Sequence, residues 1–207
     1  MYQQHATKIQ DYAQRDASNM ADVCMMVSLS IQQNWLGVGE MLQDVRVNKA
    51  DSPYLWGFKK DTYNYIIANK HKIHGQMMAV INSNKSNDAK GLSLMKVFLR
   101  VPGLGLPKAG FMCQLCAGLV GCMDVHNIKL YGLDVKDLTL PKKLKSQAKK
   151  EEKIKKYITI CHDYGTESLW NSWCDHLATK SAKWTDGFHV SEVHYTYLTQ
   201  SNPHISV

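Results

Sequence analysis

The stretch Val101-Pro-Gly-Leu-Gly-Leu-Pro-Lys-Ala-Gly110 sets two glycines two residues apart between two apolar segments. Gly103 and Gly105 tolerate positive φ and leave backbone N–H groups uncovered, and Pro107 suits the first turn of a helix. Exposed amides at a helix start attract phosphate. The same glycines would also serve any tight connection between two helices. Downstream, Met123-Asp124-Val125-His126-Asn127 follows Gly121. Asp124 there either caps a helix over residues 125–131 or supplies a carboxylate for chemistry. The run from Lys142 to Lys156 holds eight lysines and two glutamates. It reads as an arm that tracks a phosphate backbone or as a solvated helix face. Trp35, Trp56 and Tyr131 are candidate base-stacking residues, although aromatics at helical spacing usually belong to a core.

The elements that must position these residues are helical. From Ala21 to Val45, apolar residues recur at Val23, Met26, Val27, Ile31, Leu36 and Met41, a long or kinked helix with Ser18 and Asn19 as possible caps. Gly37 and Gly39 predict a break or a close helix contact. Residues 54–73 and 76–81 read as two helices. Residues 82–88 form a polar turn-rich loop, and residues 92–101 a short apolar helix. Leu144, Ala148 and Ile154 mark one apolar edge of the lysine-rich helix, and two further core helices flank a loop at 180–187. Nothing alternates with strand period for long. The fold class is all-α, in one domain over 1–207, with the hairpin and the Asp124 segment in residues 92–131.

Composition supports a folded chain that meets an anion. Hydrophobic residues make up 44% and charged residues 21% of 207, and 25 Lys plus Arg against 18 Asp plus Glu give +7. The charge-free stretch from Ala109 to Met123 is fifteen residues, short of the roughly 20 apolar residues that span a bilayer. No membrane partner is expected. Residues 1–15 lack the apolar core of a secretory signal, so the expected location is cytoplasmic, with the six cysteines as reduced thiols. Cys174-Asp175-His176, His162 and His189-x2-Glu192-x-His194 could donate metal ligands, but without a paired CxxC or an HExxH they read as structural.

Residues Val101 to Asn127 resemble the helix-hairpin-helix DNA glycosylase superfamily, typified by endonuclease III. In that family a Leu-Pro-Gly-Val-Gly-like hairpin precedes a Val-Asp-Thr-His-like catalytic segment at similar distance. Pro107 and Asp124 lie 17 residues apart here. Upstream, Leu29-Ser30-Ile31-Gln32 is similar to the family's Leu-Ser-Ala-Gln segment, which supplies a polar wedge into the duplex; Gln33 or Asn34 would serve equally. The chain also resembles proteins of bacterial viruses, which would make its location the host cytoplasm.

The resemblance implies a helical bundle of the glycosylase type that flips a nucleotide of duplex DNA and cleaves its N-glycosidic bond. Asp124 would stabilise the oxocarbenium-like sugar. Pro102, Gly103, Leu104, Gly105, Lys108, Gln32, Gln33 and His126 would contact DNA. Bifunctional members use a lysine near the start of the second hairpin helix as a Schiff-base nucleophile. Registering on Pro-Gly-Leu-Gly puts Pro107 at that position, one residue and about 100° of helix from Lys108. Either Lys108 reaches the sugar as a second catalytic group, or it meets phosphate and the enzyme is monofunctional, the reading preferred here. His126 contacts phosphate, holds Asp124 or packs as a hydrogen-bonded histidine. Cys113-x2-Cys116-x5-Cys122 matches part of the family's iron–sulfur spacing but lies upstream of Asp124, so no cluster is expected and these thiols read as small hydrophobes. Apart from a mono- or divalent cation at the hairpin, no cofactor is implied, and a monomer is expected. Two alternatives share these residues: a viral enzyme that hypermodifies thymine in DNA, and a non-catalytic hairpin module in which Asp124 only caps a helix.

Overall fold

The computed structural model describes residues 2–141, 146–180 and 187–199. Among the described residues the chain forms ten α-helices, with short 3-10 turns and no strand. They are α1 (Gln3–Arg15), α2 (Ala17–Leu29), α3 (Val38–Asn48), α4 (Phe58–Ile81), α5 (Asn87–Phe98), α6 (Leu106–Ala117), α7 (Val125–Leu130), α8 (Gln147–Tyr164), α9 (Thr166–Ala178) and α10 (Gly187–Thr199). None among the described residues is long and apolar enough to cross a membrane.

Helices α2, α4, α5 and α6 pack on one another, with α3 against α2 and α8 against α5. At the other side α1 lies against α2, α6 and α10, and α9 joins α8 to α10. A single apolar cluster runs through all of them. Its centre is α6, where Leu106, Ala109, Phe111, Met112, Cys113, Leu115 and Cys116 are all buried. An α6 that is apolar all round must be covered on every side. Trp35, Trp170, Trp173 and Phe111 add an aromatic core around His194, which accepts from Trp35 Nε1 at 3.0 Å.

Several boundaries depart from the sequence reading, each for a local reason. The helix expected from Ala21 to Val45 is two helices, and the break comes at residues 30–37, where Gln32 takes a positive φ of 56°. The cap of α2 is Asp16, which accepts from the amides of Ser18 and Asn19, so those two residues are the donors. Of the two outcomes expected at the glycines, Gly39 realises the close contact, since a Cβ there would lie 2.4 Å from the Tyr197 ring. Helix α4 continues through His74 and Gly75 because Ile66, Ile73 and Met77 keep one stripe in the core. Residues 3–15, read only as polar, form α1, which buries His5, Ala6, Ile9 and Ala13. On α8, Ile154 is buried but Ala148 is exposed, and Leu144 lies outside the described residues. Most of the loop at 180–187 lies outside them too.

Candidate functional site

The hairpin between α5 and α6 is a tight turn: the Leu104 amide donates to the Val101 carbonyl at 3.4 Å, with Pro102 and Gly103 between. Gly103 has φ +79°, the proline-then-glycine pattern of a type II turn. A Cβ there would also lie 2.4 Å from the Phe58 ring. Thr62 donates to the Pro102 carbonyl at 2.7 Å, which ties the turn to the first turns of α4. Pro102, Gly103 and Gly105 are exposed and Leu104 is half-buried. Helix α6 begins one residue earlier than expected, at Leu106, on Gly105 as an N-cap with no side chain to close its first amides. That leaves the open helix start on which phosphate binding depends.

Lys108 projects from this first turn toward the end of α2. Its Nζ donates to Ser30 Oγ at 3.2 Å and lies 5.6 Å from the Phe111 ring centroid. The hairpin and the Leu29-Ser30-Ile31-Gln32 segment, 78 residues apart at this contact, are therefore side by side. Gln32 and Gln33 are exposed there, as is Asn34. Beneath them Lys59 is fully buried, and its Nζ donates to the Leu29 carbonyl at 3.1 Å. Burial, reinforced by the Lys108 ammonium, pushes the Lys59 amine below its ordinary range.

Asp124 sits at the N-cap of α7, its Oδ1 accepting from the Asn127 amide at 3.0 Å. It is half-buried. The irregular segment leading to it is held by side chains of α6, α7 and α8 that bond to its buried backbone. Tyr157 Oη donates to the Gly121 carbonyl and accepts from the Met123 amide, each at 3.1 Å. Gln114 Oε1 accepts from the Cys122 amide at 2.8 Å, and Asn127 Nδ2 donates to the Cys122 carbonyl at 2.7 Å. A Cβ on Gly110 would lie 2.4 Å from Tyr157 Oη and 2.8 Å from the Gly121 carbonyl oxygen, so α6 must carry a glycine where this segment passes. Cys122 links the two charged groups: burial and the Asp124 carboxylate raise its thiol pKa while the Lys108 ammonium opposes them.

On the far side of Asp124, His126 stacks on His176, ring centroids 3.7 Å apart and planes within 15°. His126 Nε2 is 3.4 Å from Ser172 Oγ. A hollow of about 590 Å³ opens there, lined by His126, Ser168, Asn171, Ser172, Asp175 and His176 among others. Burial, then the His126 and Lys180 charges, lower the His176 pKa, and the Asp124 carboxylate works against them.

The other expected residues divide. Trp35 is 4% exposed and belongs to the aromatic core, and Tyr131 stacks on Tyr164 at 4.1 Å, whereas Trp56 is 44% exposed. The six cysteines are free and buried, and burial drives the Cys113, Cys122 and Cys174 thiols well up. Among the described residues no three His, Cys, Asp or Glu side chains are grouped to hold a metal ion. His162 bridges Asp88 at 2.8 Å and the Leu119 carbonyl at 2.9 Å, and Asp175 accepts from Tyr2. The His189 side chain lies outside the described residues. In the lysine run, Lys156 pairs with Asp137, Lys155 with Glu151 and Lys153 with the Lys136 carbonyl, while Lys150 lines a shallow hollow with Lys96 and Arg100 next to the hairpin.

Sequence reasoning missed Lys59, Gln114 and Tyr157, and it read His176 as structural, without its stacking on His126. Gln114 carried a faint signal as a lone polar residue inside an apolar helix. Lys59, beside Lys60, reads as surface. No protein-family model, curated protein or solved structure matches this chain.

Proposed function

We propose that the protein binds duplex DNA through the hairpin and acts on a flipped nucleotide at the N-glycosidic bond, with Asp124 as its charged group. The observation that carries this reading is the Lys108 to Ser30 contact. It draws the open start of α6 and the exposed Gln32 loop together, and the Lys108 ammonium and the Asp124 carboxylate act in opposite senses on the same buried Cys122 thiol. An open helix start grips phosphate, an exposed polar side chain enters the space a base has left, and a carboxylate faces the sugar. As the C1′–N bond breaks, the base leaves with the electron pair and positive charge grows on the sugar. The carboxylate stabilises that charge until water adds at C1′ and gives up a proton. The cap bond from the Asn127 amide orients Asp124 for this task. Arg100 and Lys150 beside the hairpin extend the phosphate track.

The same cap bond favours a second reading, a non-catalytic DNA-binding module. Wild type and Asp124→Asn incubated with duplexes bearing uracil, 5-hydroxymethyluracil, alkylated or oxidised bases separate the two. Base release by wild type, lost in the variant with the mobility shift retained, supports excision. Binding without release by either protein overturns excision of those bases and leaves thymine hypermodification or binding alone. No shift with any duplex overturns the DNA reading.

A further inference from the structure

Trp56 lies in the link between α3 and α4 and is 44% exposed, while Trp35, Trp170 and Trp173 are buried at 4% or less. Among the described residues the other strongly exposed large apolar side chains are aliphatic: Val47, Ile67, Val125, Leu130 and Val135. Leaving an indole in water forgoes one of the largest burial gains a side chain offers. Its surroundings hold the ring in place. Lys59 Nζ lies 4.8 Å from the Trp56 ring centroid, and Phe58 meets the indole edge-on at 6.3 Å and 71°. Both neighbours belong to the DNA-facing elements: Lys59 binds the last carbonyl of α2, and the Phe58 ring occupies the space beside Gly103. The indole is thus fixed from beneath by a cation and a phenyl edge, beside the hairpin turn and the Gln32 loop.

We infer that Trp56 is a stacking platform for one unpaired nucleobase of the bound DNA. The inference rests on the DNA-binding reading above and adds to it a preference for DNA in which a base is free of its partner. A flat indole anchored on its inner side offers its outer side to any base, because every base has a π-face. The hairpin beside it supplies the charge complementarity, with open amides and the Lys108 ammonium for the flanking phosphates.

Fluorescence anisotropy with the full chain tests this, using a fully paired duplex and the same duplex with a single-base bulge. Wild type should bind the bulged duplex more tightly and show quenched tryptophan emission on binding. Trp56→Ala should lose roughly tenfold on the bulged duplex, with little change on the paired one and no quenching. Trp56→Phe should keep most of the affinity, and unchanged circular dichroism checks that both variants fold. Equal affinities of wild type and Trp56→Ala for the bulged duplex overturn the platform while leaving DNA binding intact, as does an equal loss on both duplexes. If wild type binds neither duplex, the DNA reading itself falls and takes the platform with it.

Discussion

The starts of α6 and α7 share almost the same backbone and opposite chemistry. Gly105 has φ −98° and ψ −179°, Asp124 has φ −82° and ψ −177°, and each is the N-cap of its helix. Asp124 satisfies its own helix with a carboxylate, whereas Gly105 brings no side chain and leaves the first amides of α6 to whatever approaches. A helix that neutralises its own positive end stores a negative charge in a fixed place, and a helix that does not becomes a receptor for one. The chain sets both within twenty residues, and under the proposed function the first holds a phosphate while the second faces the cationic transition state.

The strongest way to break this comparison is to remove the charge of Asp124 and keep its cap. Asparagine caps as well as aspartate, so Asp124→Asn should leave the melting temperature nearly unchanged while base release falls by about a hundredfold or more. A second route moves the carboxylate without touching it. Gly110→Ala drives a methyl into Tyr157 Oη and the Gly121 carbonyl and should cost about 3 kcal/mol in chemical denaturation. Tyr157→Phe leaves the Gly121 carbonyl and the Met123 amide without their buried partner and should cost about 2 kcal/mol, with activity reduced more than DNA binding. Giving α6 what α7 has is the converse experiment. Gly105 sits in backbone that any residue adopts, and a Cβ there would meet only Pro107 Cδ, at an ordinary contact distance of 3.8 Å. Gly105→Asp should therefore keep the fold and weaken DNA binding by about tenfold in anisotropy titrations, because the new carboxylate occupies and repels the phosphate site.

The smallest effect concerns pH. Burial holds His194 neutral, its pKa well below the ordinary value, and burial and then Lys8 lower that of His5. A histidine with a depressed folded pKa stabilises the fold above the unfolded value and loses that contribution as pH falls, because only the unfolded chain takes the proton. Denaturation midpoints should be flat near pH 8 and decline below about pH 6.5, at up to roughly 1.4 kcal/mol per pH unit for each group. His194→Gln should flatten that slope, while Asp124→Asn should leave it in place.

The all-helical class was readable because apolar residues recur every three to four positions from α2 to α9 and nothing alternates. Asp124 as a helix cap, the positive φ at Gly103 and the start of α6 near Pro107 were readable as well, being decided by a few neighbouring residues. What was not readable depends on contacts across the chain. No local pattern announces that Tyr157, 36 residues downstream, closes the backbone at Gly121, or that Lys59 turns inward to the end of α2. Residues 3–15 escaped notice because α1 packs through small or polar residues such as His5 and Ala6. The break after α2 comes at Gln32, which takes a conformation that the nearby glycines suit better.

The anchoring of residues 121–123 also sets an order of assembly. The α5–α6 hairpin closes over a few residues and can form as soon as its own chain is present, since short loops cost little to close. The Asp124 segment depends in part on Tyr157 from α8, so the Gly121 carbonyl and the Met123 amide lack that buried partner until the chain has grown some forty residues further and α8 has docked. Shortened chains that end before residue 147 would therefore carry a nearly formed hairpin with an unplaced carboxylate. Under the proposed function such fragments would hold DNA without acting on it and compete with the full-length protein.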